Sequence, residues 1–354
     1  MSTLVLDDGA KVSPAASGVR IFSLVVPALA AIAYPLLLSA IAELLRLFQV
    51  AAPPSPAVIT VTVLAILTAA LAVMGIAFAR ALSLGRAGAG SVAPRLLAHL
   101  AFAVPTLLVA FGNVVGLFHA RGALTYGWPL FWVALTCVTW LAQEAPPSAL
   151  IAPAIVSGRR LAVAHGVSAL AILVLFLVPH LGNHLTGIVS GADHIGVMKL
   201  VRLVYRNAFI EPLLITLIAF QIMSGFVLVR RRLNRASDFF GTLQTMTGVY
   251  VGCYFLGHMT AVFAARGAGT DTNWNWLTSD DHGLLFHLSS FSLVGHYWVG
   301  PIAIVTHVAC GLRMVMLEHG VSEHAAARAA WGLIGLGVAG SSVILAGLLG
   351  AHIA

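Results

Sequence analysis

The sequence predicts an all-α polytopic membrane protein, and three observations carry that prediction. Apolar residues fill 60% of the 354 positions and charged residues only 9%, with a mean hydropathy of +0.97, whereas a water-soluble fold needs far more polar surface. Nine apolar runs are long enough to cross a bilayer: 20–48, 56–84, 95–119, 126–143, 159–182, 208–230, 239–265, 294–317 and 327–350. The charges fall between those runs. Backbone polar groups in hydrocarbon must be satisfied within their own segment, so nine transmembrane helices and no sheet are expected.

Charge sets the topology and excludes one class of partner. The excess of basic residues, +7 overall, lies in short groups between apolar runs, the pattern of cytoplasmic loops, and so argues against nucleic acid. With the N-terminus inside, inner loops hold Arg80, Arg86 and Arg95, then Arg159 and Arg160, then Arg230, Arg231, Arg232 and Arg235, and finally Arg313 and Arg328. Only the outer segment after the fifth run goes against this, with Lys199, Arg202 and Arg206. The expected arrangement is N-terminus in and C-terminus out, in a bacterial inner membrane. Cys137, Cys253 and Cys310 sit in apolar runs without CxxC or CxxCH spacing, so neither a disulfide framework nor covalent haem attachment is indicated. Residues 1–19 lack the basic start of a cleaved signal and read as a cytoplasmic tail.

The first four runs carry little chemistry. Glu43 and Arg46, three apart, suit an ion pair or snorkelling to the interface. His99 and His119 sit near helix ends, where packing or interfacial roles are usual. The Pro-rich segment 144–153 reads as a seam, dividing a four-helix region (1–150) of unassigned role from a five-helix region (151–354). Two outer loops are long. The first, 186–206, interleaves Ile195, Met198, Val201 and Leu203 with cations, as in a helix lying on the membrane surface. The second, 267–295, holds Trp274, Trp276, Asp280, Asp281, His282 and His287; it reads either as a lid or as part of an aromatic belt.

The five-helix region carries histidines at matched depths. Counting from the arginines at the inner helix ends, His180 lies about 30 Å up its helix and His258 about 29 Å up its own, at a rise of about 1.5 Å per residue. Gln221 and His307 lie about 13 and 16 Å from the inside, so the two layers are roughly 15 Å apart. An imidazole in hydrocarbon needs a partner for each nitrogen. Axial ligation of a haem iron supplies one, and a backbone carbonyl or hydroxyl supplies the other. Gly225 follows Gln221 by four and Gly311 follows His307 by four, which clears the same helix faces for a flat ligand. The competing reading has the glycines permit close helix packing and the histidines hydrogen-bond across the bundle.

The region 159–350 resembles the five-helix, di-haem cytochrome b membrane subunit of single-anchor succinate dehydrogenases and fumarate reductases. The resemblance rests on His165 followed fifteen residues later by His180, then Leu181 and Asn183. It rests also on the run Leu243, Gln244, Thr245, Met246, Thr247, Gly248 with His258 fourteen after Gln244, and on His307 to Leu312. It implies that His180 and His258 ligate an outer haem b iron, while the inner haem would fall to Gln221 and His307. Gln221 stands where the family has histidine. The inner site is then left open between no haem, haem on His307 alone, and recruitment of His165.

The resemblance also implies electron exchange with a membrane quinone. His184, His282, His287 and His296 are candidates to handle its protons, each with interfacial hydrogen bonding as the alternative. The family works with soluble flavin and iron–sulfur partners, and the chain has no motif for either, so dicarboxylate chemistry would need a soluble redox partner or other membrane subunits; the four additional N-terminal helices, which an anchor subunit does not need, fit equally a stand-alone quinone-reactive cytochrome or one serving a different partner. Two other readings stand beside this one. One is a haem-free transporter or scaffold whose histidines and Glu211 line a polar path, for which helices broken at Pro35, Pro105 or Pro212 would speak. The other is a redox or gas sensor with an open coordination position at His307.

Overall fold

The computed structural model describes residues 14–48, 55–86, 92–143, 158–279, 283–284 and 290–353. Among them there is no strand. Helices α1 (Pro14–Phe48), α2 (Pro56–Arg86), α3 (Val92–Phe102), α4 (Val104–Leu117) and α5 (Leu124–Gln143) form the N-terminal part. After it come α6 (Gly158–Ile172), a π-helical turn at Leu173–Leu177, α7 (Val178–Thr186), α8 (Gly191–Tyr205), α9 (Ile210–Leu233), α10 (Phe239–Gly267), the short α11 (Trp274–Thr278), α12 (Phe291–Glu318) and α13 (Glu323–Leu348). Among the described residues eight helices are long and apolar enough to cross a membrane, or nine if the bent pair α3–α4 is one span. The lipid-facing character is clearest on α6–α7. Val163, Val167, Leu170, Val174 and Val178 form a stripe of apolar side chains, each 59–65% exposed, a surface suited to hydrocarbon rather than water.

Two details depart from nine plain helices. The third run breaks at Ala103 and turns by 79°; Pro105 sits in the first turn of α4, where its missing N–H costs nothing. Pro27 and Pro35 lie inside α1 and Pro301 inside α12, and those helices run on. In addition α1 starts at Pro14, earlier than the apolar run, and residues 1–13 lie outside the described part. The seam at 144–153 also lies outside it. On either side of that seam the buried apolar side chains form one continuous cluster, from Leu24 and Trp128 through Tyr250 and Ile304 to Leu348. Helix α4 lies against both α10 and α12.

Buried polar groups join the two parts. Arg95 is fully buried and its guanidinium donates to the carbonyls of Leu233 and Arg235 at 2.8 and 2.7 Å, capping the C-terminal end of α9. His99 is also fully buried, with Nδ1 2.6 Å from the Arg95 carbonyl and Nε2 3.0 Å from the Thr245 hydroxyl. Both its nitrogens are occupied, so it is a packing residue. His119 is exposed at the end of α4, in the left-handed region at φ 54°. Glu43 and Arg46 form an exposed ion pair at 2.6 Å.

Candidate functional site

The helix α6–α7 stands off from the α10–α12 pair. Its close neighbours are α9 along α6, and α8 and α13 along α7, while backbone approaches from α6 to α12 or from α7 to α10 are at most sporadic. Two pairs of imidazoles reach across that gap. At the outer level His180 faces His258 with ring centroids 6.3 Å apart; at the inner level His165 faces His307 at 6.4 Å. Two imidazoles sharing one metal ion through bonds of about 2 Å place their centroids roughly 6 to 6.5 Å apart. Both pairs have that spacing.

The π turn aligns the histidines along the arm. A regular helix turns about 100° per residue, which would carry His180 about 60° and His184 about 100° around from His165. A π turn absorbs one residue, leaving His180 about 40° behind and His184 in line with His165. The arm therefore presents three histidines to one side.

The inner pair has its supporting bonds in place. His307 Nδ1 lies 3.0 Å from the Gln244 carbonyl, which can only accept, so Nδ1 carries the proton and Nε2 holds a lone pair. His165 Nδ1 lies 2.8 Å from Ser224 Oγ, and that hydroxyl donates to the Phe220 carbonyl at 2.6 Å. His165 Nδ1 is thus the donor, and its Nε2 is free as well. Among the described residues neither Nε2 has a hydrogen-bond partner. This is the second-shell pattern of metal-bound histidine. Space is cleared on both sides. A Cβ on Gly248 would lie 2.9 Å from His307 Cε1, and one on Gly225 would lie 3.6 Å from His165 Cε1. Gly311 instead faces the Gln244 side chain, where a Cβ would meet its Nε2 at 3.5 Å.

Gln221 is placed away from the ligand role carried over to it. Its amide nitrogen donates to the His165 carbonyl and to Ser168 Oγ, both at 2.6 Å. With Ser224 it grips α6 at the level of His165. The structure therefore brings His165, not Gln221, to His307.

The outer pair borders a cavity of about 210 Å³, lined among others by His184, His194, Tyr254 and Trp274, with Tyr205 and Arg206 also on its wall. The rings run in a chain: His184 is 4.8 Å from His180, His194 5.1 Å from His184, and Trp274 4.6 Å from His194. Among the described residues the buried Nδ1 atoms of His180, His184 and His194 and the Asn183 side-chain oxygen Oδ1 have no hydrogen-bond partner, so this site is built to hold something polar. Helix α8 and α11 roof it. Trp274 packs on Gly187 and Gly191, neither of which has room for a Cβ beneath the indole. Arg202 ties the roof together by donating to the Asp271 carboxylate at 2.8 Å and the Thr272 carbonyl at 3.0 Å. The Arg202 contact holds the Asp271 carboxyl below its usual range, and burial pushes His194, with Arg202 nearby, down to about 4. Glu211, read as part of a polar path, pairs with Arg266 at 2.5 Å at the cavity mouth. His282 and His287 lie outside the described residues. His296 is turned away from the roof: its Nδ1 is 3.0 Å from Thr106 Oγ1 and its ring stacks on Tyr254.

The sequence reading missed His194 and Tyr254. His194, Met198 and Tyr205 lie four and seven apart on one face of α8, and that spacing was the available signal. Tyr254, four before His258, shares its helix face. Among the described residues no group of three or more His, Cys, Asp or Glu side chains is arranged to hold a metal ion unaided. Fold and site define a class: an all-α polytopic membrane protein with paired intramembrane histidines. Comparison with protein-family models, curated proteins and solved structures finds no match.

Proposed function

We propose that the chain is a b-type haem protein of an energy-transducing membrane, carrying electrons to or from a membrane quinone. The observation that supports this most is the spacing of the two imidazole pairs, 6.3 and 6.4 Å, across a gap the backbone leaves open. Haem fits that donor set, because its own ring supplies four equatorial nitrogens and two imidazoles complete the iron. His165 with His307, and His180 with His258, would hold it. The inner pair is fitted more completely, since both Nδ1 atoms have protein acceptors, while His180 Nδ1 has none. The outer cavity is small for a macrocycle, and the stand-off of α7 from α10 lets it widen without breaking backbone packing.

Bound haem would supply one-electron chemistry at each level. The chain's residues do the rest. His184, His194 and Asn183 offer unpartnered polar atoms in a largely apolar chamber, the combination that binds and orients a quinone headgroup. His184 and His194, both on the cavity wall, would exchange protons with its oxygens, giving them when quinone is reduced and taking them when quinol is oxidised. The orientation with the N-terminus inside, the bacterial inner membrane and an electron-donating partner, soluble or membrane-bound, belong to the same proposal.

Purified protein tests it directly. A Soret band that shifts on dithionite reduction, with two haems per chain, is expected; no such band refutes the proposal. His180→Ala and His307→Ala should each remove one haem.

One observation favours the transporter reading, the broken helix α3–α4. Its polar groups are spent on α10 and α12, with His99 on Thr245 and Thr106 on His296, and Leu97, Ala98 and Ala101 to Val104 around the break are buried. A break filled in this way lines no path. For the sensor reading, the position opposite His307 is faced by His165.

A further inference from the structure

The N-terminal helices α1–α5 have no part in holding either histidine pair, yet α4 reaches the back of the outer one by two routes. Thr106, in the first turn after the break, bonds His296 Nδ1 at 3.0 Å. The His296 ring stacks on Tyr254 with centroids 4.4 Å apart and planes 21° apart, and Tyr254 stacks on His258 at 5.6 Å and 9°. Gly300 packs closely on Tyr254: a Cβ there would lie 2.8 Å from the ring's Cζ. The second route is backbone. Asn113 Nδ2 donates to the Gly257 carbonyl at 3.0 Å, next to His258 in the chain. At Gly257 the two helices touch so closely that a Cβ would lie 3.1 Å from Ala110 Cβ and 3.2 Å from its Cα.

The break at Ala103 is what lets one run serve both ends of α10. Before it, His99 bonds Thr245 near the inner end; after it, α4 lies along the outer half to Gly257. An unbroken helix has no comparable means of following α10 while also reaching His296.

We propose that α4 is a brace for the outer haem ligand, and that Thr106 and Asn113 are positioning residues that set the orientation of the His258 imidazole. The inference rests on the haem reading above. It gives the N-terminal region a role that an anchor for a soluble enzyme would not need. Among the described residues neither nitrogen of His258 has a hydrogen-bond partner, so ring orientation is left to stacking and to the backbone behind it. Removing either support frees the ring to rotate about the metal bond.

The test uses the full-length holoprotein. In Thr106→Val and in Asn113→Leu, the low-spin EPR signal of the outer haem is expected to shift. That haem should also leave about tenfold faster for excess apomyoglobin, the lower end of the usual cost of losing a second-shell partner. The inner haem's signal and retention should stay as in the parent, and Thr106→Ser should restore the outer signal. Unchanged outer signals in both variants would overturn the brace. So would equal loosening of both haems, which marks a general loss of packing. If the parent carries no haem, the functional reading fails separately. The brace is then judged on the same variants by histidine ¹⁵N NMR: the His258 resonances, assigned with His258→Gln, must move if it holds and stay if it does not.

Discussion

Gly248→Ala is the sharpest perturbation of the inner site. The new methyl carbon would sit 2.9 Å from His307 Cε1 and 3.2 Å from Nδ1, where ordinary contact begins near 3.4 Å. The ring must retreat by roughly half an ångström. It cannot do so freely, because Nδ1 is tied to the Gln244 carbonyl at 3.0 Å and Nε2 has to stay aimed at His165. Overpacking of this kind costs about 1–3 kcal/mol, or roughly 5- to 150-fold in retention of whatever the imidazole holds. The measurement is the haem-to-protein ratio by pyridine haemochrome after challenge with excess apomyoglobin. Gly252→Ala is the control, since it lies one turn further on α10 and a Cβ there meets nothing within 4 Å. Gly248→Ala should lose one haem per chain well before the parent, and Gly252→Ala should match the parent. Equal behaviour of the two alanine variants would refute the assignment of His307 as a ligand.

Two further predictions follow from the bonding. Gln221→Leu removes two donated bonds to α6 and should lower the thermal midpoint by an amount equivalent to about 1–3 kcal/mol, while the haem count, read by the same haemochrome assay, stays at the parent value; loss of one haem would make Gln221 a ligand after all. Acid should loosen the roof. His194 is held neutral, at about 4, and Asp271 is held ionised. Both shifts are downward, so each group's contribution falls away as pH drops from its ordinary value toward the folded one: for His194 between about 6.5 and about 4, for Asp271 only below 3.8. Hydrogen–deuterium exchange in 191–206, corrected for the intrinsic rate, should be faster at pH 5 than at pH 7.5, because pH 5 lies inside the window of His194. Equal protection at the two values would count against the burial of His194 beneath Trp274.

The positions of the helices were legible because hydrocarbon demands long apolar runs, and each of the nine runs is occupied by helix, the third by the broken pair α3–α4. The match in level of His180 with His258 was legible too, since helix rise is constant, and the structure brings those two rings together. The partner of His307 was not. Pairing depends on azimuth, and the π turn that sets it falls in the sequence Leu-Val-Leu-Phe-Leu, which bears no local mark. Depth alone matched His307 to Gln221, a residue on the right level whose amide is taken up by α6. The break at Ala103 was hidden for a similar reason. Pro105 looks no different from Pro35, and only packing against α10 and α12 decides that one helix ends and the other continues. His194 escaped because a surface helix was expected to present its polar side to water, whereas its histidine is 4% exposed beneath Trp274.

The π turn offers the most direct check that one helix serves both levels. Leu173–Leu177 lies between His165 and His180, and the residue it absorbs is what keeps the two on one side of the arm. Val174 is 61% exposed toward lipid and bonds to no other side chain among the described residues. Deleting it should collapse the π turn to regular helix, leaving fourteen steps between the histidines and His180 about 40° behind His165, where it already stands. Inserting one alanine after Val174 adds a residue the turn cannot also absorb, and swings His180 by about 100° away from His258. The deletion should therefore keep both haems and the insertion should keep only the inner one, as counted by haemochrome and by the two EPR signals. In a regular helix fifteen steps would be the native spacing, and the deletion and the insertion would each swing His180 by about 100° and lose the outer haem. Loss of the outer haem on deletion would therefore show that the π turn does not set the register, and with it would go the alignment of His165, His180 and His184.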